Sequence, residues 1–218
     1  MKKNTSKTEA VYHKLLEGIV DRGFMPGHRL VVSDLVGEFA VSRTPVREAL
    51  LRLKNEGLVQ GDLHRVAYVA HPTSKDAEEI YDLREVLEGL AARNAAQRVT
   101  EEGAMELKLL IKQSEEYCEL EKLREFTQVD VKFHEYIAEI GGNHRLRHAL
   151  TQIRHQGQFL RRTSMHLLGG KGYQALAGHK RILEAIICKD PQLAETRARE
   201  HIREFKGALV SLLKESGW

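Results

Sequence analysis

Apolar residues recur at helical spacing along most of the chain and alternate at strand spacing in one short stretch. Thr8 to Val20 reads as a first helix, with Val11, Leu15, Ile19 and Val20 apolar. Phe24-Met25-Pro26-Gly27 breaks it, because Pro and Gly are the strongest local punctuators. Ser33 caps a short second helix that runs through Phe39. A third opens at Ser42, whose hydroxyl suits an N-cap, and Pro45 falls in its first turn, where a missing N–H costs nothing. Val46, Ala49, Leu50 and Leu53 form its apolar face. Asn55-Glu56-Gly57 stops it, and Leu58 to Val69 reads as two short strands around a turn.

His71-Pro72-Thr73-Ser74 reads as a linker, and Pro191 is the one proline beyond it. Helical periodicity then predicts helices at 75–98, 101–119, 122–140, 143–168, 173–188 and 191–216, with breaks at Thr100, Asn143 and Asp190-Pro191. The expected fold is mainly α: a winged helix-turn-helix over residues 1–72, then an all-α bundle over 73–218. Gly169-Gly170-Lys171-Gly172 reads as a loop. With no strand before it and a glycine after Gly-Lys, it does not fit a phosphate-binding P-loop.

The third helix has a second face. Arg43 and Arg47 lie four apart near its N-terminus, a placement that suits bidentate contacts to guanine edges in a major groove. Taken alone, the same run also describes a surface helix with two solvated arginines. Its neighbours favour the first reading, since a second helix across the backbone and a third in the groove is a standard docking geometry.

Pro26-Gly27, Leu30, the block Val41 to Leu53 and Gly57-Leu58-Val59 resemble the DNA-binding domain of GntR-type bacterial transcription regulators. The resemblance implies that Arg43, Thr44 and Arg47, with Ser42 beside them, contact double-stranded DNA, and that a wing carrying Arg65 reaches the adjacent groove. Two positions depart from the pattern. Ser33 stands where some relatives carry an arginine, and Val66 follows Arg65 where the wing tip usually reads Arg-Gly.

Composition changes this picture little. The formal net charge is +3, and residues 1–72 carry all of it, with 11 Lys/Arg against 8 Asp/Glu, while the remainder balances. No apolar run is long enough to span a membrane, and no apolar stretch follows the Lys-rich start. Cys118 and Cys188 stand far apart, which fits a reduced, cytoplasmic protein.

The bundle holds a second constellation. Asp130 and His134, four apart, share a helix face whose apolar neighbours are Val129, Phe133, Ile137 and Ile140. His179 lies among Ile182, Ala185 and Ile186, and His201 among Ala194, Ala198, Ile202, Phe205 and Leu209. One carboxylate and three imidazoles from three helices suit a divalent cation with nitrogen and oxygen ligands: zinc first, nickel or manganese as alternatives. Hydrogen-bonded core histidines are the plainer alternative. Arg84 sits on an apolar stripe with Ile80, Leu87 and Ala91. There it either clamps an effector carboxylate or pairs with Glu85, Glu88 or a glutamate on another helix.

Asp130-Val131-Lys132-Phe133-His134 with Ile137 and Gly142-Asn143, then Gly178-His179, Asp190-Pro191, Ala194 and His201, resemble the FadR C-terminal (FCD) ligand-binding domain. Many of its members hold a divalent metal through an Asp and three His, which the resemblance places at Asp130, His134, His179 and His201. An arginine in the matching Asp-Leu-Arg segment, Arg84 here, lines the pocket for a small organic acid. Together the resemblances imply a transcription regulator, not an enzyme. It would bind a near-palindromic operator as a homodimer, with affinity set by a small carboxylate effector at the metal. A regulator that senses the cation itself is the main alternative. A metalloenzyme is the weaker one, because no general base stands beside the ligands.

Overall fold

The computed structural model describes residues 6–62, 66–164 and 172–215. Helix α1, Lys7–Glu17, is capped by Ser6, whose Oγ accepts the Glu9 N–H. It passes into a π-helical turn over Gly18–Arg22, closed by Gly23 N–H to Gly18 C=O at 3.1 Å. The periodicity predicts a plain helix through Val20. The turn arises because the Phe24 ring folds back onto Gly18, where any Cβ would overlap it.

Helix α2 spans Val32–Phe39 and helix α3 Arg43–Asn55. Two expected caps are corrected. Ser33 lies inside α2, and its hydroxyl turns to Asp34 at 3.0 Å, so Val31 begins the helix. Ser42 occupies the N-cap position of α3, but its side chain makes no capping hydrogen bond. Strand β1, Arg29–Leu30, has no counterpart in the sequence pattern, since two residues carry no period. It pairs antiparallel with β3, Val66–Val69, which pairs with β2, Val59–Asp62, in the order β1-β3-β2. Val11, Leu15, Ile19, Val46, Leu50, Leu53, Leu58 and Val69 fill the core beneath.

The expected bundle helices are present: α4 Ser74–Arg98, α5 Glu101–Glu119, α6 Leu123–Ile140, α7 His144–Ser164, α8 Gly172–Ile187 and α9 Pro191–Glu215. Residues 165–168, expected at the end of α7, lie outside the described residues, as do Gly169 to Lys171 of the glycine-rich loop. Thr73, in the expected linker, closes a capping box with Asp76 and starts α4 firmly. Thr100, Asn143 and Asp190 each cap the helix after them with a side-chain oxygen. Helix α4 packs along α9 and also touches α6, α7 and α8, so it crosses the bundle interior. Its alanines 91, 92, 95 and 96 allow that close approach, and Phe133, Ile137, Ile182 and Ile186 pack around them.

Candidate DNA interface and metal centre

Ser42, Arg43, Thr44 and Arg47 are all exposed at the start of α3, while Val46, Ala49 and Leu50 behind them are buried. No acidic residue stands in the first turn, and neither arginine forms an ion pair among the described residues. The pair therefore projects as free charge from a helix fixed by its own core. Arg65 lies outside the described residues. Lys54 Nζ donates to Gly61 C=O at 2.6 Å, tying the end of α3 to strand β2.

The other end of α3 is held from the bundle. Gln156 of α7 donates from Nε2 to the Glu56 carbonyl at 2.7 Å, and Phe159 is buried in the N-terminal core. Glu56 also accepts from the Tyr12 hydroxyl at 2.9 and 3.0 Å and from Arg52 at 3.2 Å. Burial alone would raise the Glu56 carboxyl, but His155, Tyr12 and Arg52 outweigh it and hold it below the usual carboxylate range. The joint thus fastens α7 to the C-terminal cap of the helix that carries Arg43 and Arg47.

Inside the bundle, Asp130 and His134 of α6, His179 of α8 and His201 of α9 converge. His134, His179 and His201 each place a ring nitrogen within 4.8 Å of the others. His134 Nε2 and His179 Nε2 stand 3.2 Å apart, and Asp130 Oδ1 lies 3.3 Å from His179 Nε2. All four side chains are buried. The close approach depends on Gly178, because a Cβ there would overlap Nδ1 of His201. Burial pushes His201 well below the ordinary histidine value, and its histidine neighbours add to the effect, against Asp130 and Glu88. A neutral imidazole is the form that ligates a metal.

Glu88 completes the group. Its Oε2 lies 2.6 Å from His134 Nδ1, which leaves His134 Nε2 facing the cluster. A carboxylate behind a ligand histidine fixes ring orientation and raises its basicity. The other oxygen, Oε1, takes Nε and Nη2 of Arg84, each at 2.8 Å. Burial alone would raise the Glu88 carboxyl, but Arg84, His134 and Arg154 outweigh it and hold it well below the carboxylate range. Of the two readings of Arg84, the ion pair with Glu88 is therefore formed. The sequence signal was their i, i+4 spacing on the apolar stripe, but the onward contact to His134 has no linear signature.

The donor set fits a divalent metal. Three buried imidazoles lie within reach of one point and the Asp130 carboxylate lies 3.3 Å from one of them; one imidazole is held neutral by burial, and another has an outer carboxylate behind it. When bound, such an ion supplies a Lewis-acidic centre able to accept an oxygen ligand.

Comparison with known proteins agrees with the two-part organisation. Residues 7–68 match the gntR family of bacterial regulatory proteins, and residues 79–204 match the FCD domain. The HTH-type transcriptional regulator YdhC of Bacillus subtilis is 30% identical over 214 residues, covering 94% of this chain and 91% of its own. The HTH-type transcriptional repressor RspR of Escherichia coli is 25% identical, covering 96% and 92% respectively. Among solved structures, E. coli McbR/YncC superposes with a TM-score of 0.82 at 21% identity, covering 94% of this chain and 97% of that one. A GntR regulator from Rhodococcus sp. RHA1 gives 0.77 at 22% identity, covering 95% and 99%. At those identities the structures speak for the fold alone, and the sequence matches carry the family. A solvent-facing arginine helix on a winged scaffold, joined to an FCD bundle, makes this chain a DNA-binding transcription regulator of the GntR family, FadR-like subfamily, and not an enzyme.

Proposed function

We propose that this regulator reads a near-palindromic operator as a homodimer in the cytoplasm. In this reading its DNA affinity is set by a small carboxylate effector at a divalent metal. Asp130, His134, His179 and His201 hold the metal, zinc in the first instance. The observation that carries the reading is the buried Asp/His cluster with Glu88 behind His134. Such a cluster is a costly way to fill a core, because each polar group needs a partner when water is gone. Arg43, Thr44 and Arg47 read base edges, and Ser42, free of its capping role, is available to a phosphate.

Helix α7 supports a route between the two sites. Gly157 backs onto Arg84, and the neighbouring Gln156 holds Glu56 at the end of α3. A groove of about 280 Å³, lined in part by Gly57, His71, Ile80, Gln156 and Leu160, leaves this joint room to shift. The effector changes operator affinity only by its differential affinity for the free and DNA-bound forms. Elemental analysis of the purified chain tests the metal site. The expected result is one divalent ion per chain in the wild type, lost in His134→Ala and His201→Ala with the winged helix still folded. Stoichiometric metal in both variants would refute the site. Operator affinity that follows zinc concentration with no acid present would assign the signal to the cation instead.

A further inference from the structure

The bundle buries a second guanidinium, which forms no hydrogen bond to the metal cluster or to its outer carboxylate among the described residues. Arg154 of α7 is 6% exposed, yet only Nη1 has an anionic partner, Glu135 Oε1 at 3.0 Å. Nε and Nη2 are buried and have no hydrogen-bond partner among the described residues. Buried polar groups are almost always paired, and Arg nearly always when it is charged, so two open N–H edges call for an acceptor. Half of the Glu135 side chain stays in water at the rim, so it does not fill the inner edge.

Three observations put Arg154 on the Arg84–Glu88 side of the metal cluster. Arg154 and Gly157 lie three apart on one face of α7, and a Cβ on Gly157 would stand 3.4 Å from Arg84 Nη1. Glu135, which anchors Nη1, follows the ligand His134 directly in α6. The Arg154 charge also acts on Glu88, the residue behind His134. Nearby on α4, the Tyr81 hydroxyl is likewise buried without a partner among the described residues.

Two anion-seeking points then remain, the open Nε/Nη2 edge of Arg154 and the metal held by the cluster, and one ligand with two carboxylates satisfies both. We propose that Arg154 grips one carboxylate of a small dicarboxylate through Nε and Nη2, while the other carboxylate takes the metal. This rests on the metal-site reading above, and it moves the distal clamp from Arg84, which Glu88 occupies, to Arg154.

Calorimetric titration of the zinc-loaded full chain with malonate, succinate and glutarate, each against its monoamide, tests it. At least one diacid should bind the wild type about tenfold or more tighter than its monoamide. Arg154→Gln should keep one zinc per chain and abolish that preference. Glu135→Gln should keep both, because only the rim partner is lost. If Arg154→Gln does not fold, Arg154→Lys, which retains the charge but not the fork, should shrink the preference. An unchanged preference in the Arg154 variants, or none in a zinc-loaded wild type, would overturn the clamp while leaving the metal site intact. A wild type that binds no zinc would overturn both.

Discussion

Helix α3 holds Arg43 and Arg47 in water, whereas the bundle holds Arg84 and Arg154 inside it. The first pair costs the fold nothing, because exposed guanidinium groups keep their hydration. The second pair must be compensated within the protein, so Arg84 lies against Glu88, and Glu88 in turn against His134. The surface pair is therefore recognisable one residue at a time. The buried pair makes sense only as part of a chain of partners from three helices. The same contrast runs through stability: the exposed face of α3 tolerates substitution, and the polar interior of the bundle does not.

Glu88 is the residue on which the buried pair depends most. Glu88→Ala strands Arg84 as an uncompensated buried charge, and should destabilise the chain by about 3–5 kcal/mol in urea unfolding. Zinc affinity should fall as well, by about 10- to 100-fold, because His134 loses its orienting partner. Next comes Phe159→Ala, which removes an aromatic ring that α7 plants in the N-terminal core. It should cost about 3 kcal/mol and loosen the joint, so that in calorimetry the two parts melt less cooperatively while zinc is retained. Arg43→Ala and Arg47→Ala should leave unfolding unchanged. Each should cost about 1–3 kcal/mol in operator binding and far less on scrambled DNA. Equal losses on both sequences would reduce them to phosphate contacts. The smallest effect belongs to Glu56, whose carboxyl is held below its ordinary value in the folded chain. Its contribution is present above about pH 4.3 and disappears as pH falls through its lower folded value. Glu56→Gln should flatten that acid limb in pH-dependent melting.

Much of this was legible in the sequence. The helix order, the hairpin, Arg43 and Arg47 and the convergence of Asp130, His134, His179 and His201 follow from periodicity and two family resemblances. What escaped has identifiable causes. Thr73-x-x-Asp76 is a capping-box signature inside a stretch whose composition reads as linker. The π-turn at Gly18 depends on Phe24 folding back, a tertiary event with no period. Arg154 and Gln156 sit in an Arg-, His- and Gln-rich helix, where nothing in the linear pattern separates a buried polar residue from an exposed one. Their roles come from packing against α4, α6 and the end of α3.

In the proposed regulator, metal, acid and operator act through one linkage, and titrating operator DNA into zinc-treated wild-type and His179→Ala protein, with and without a panel of small mono- and dicarboxylates, reads that linkage out. At least one acid should shift wild-type affinity, and His179→Ala should bind operator normally with no shift and no stoichiometric zinc. A His179→Ala chain that keeps its zinc and a full acid response would contradict it.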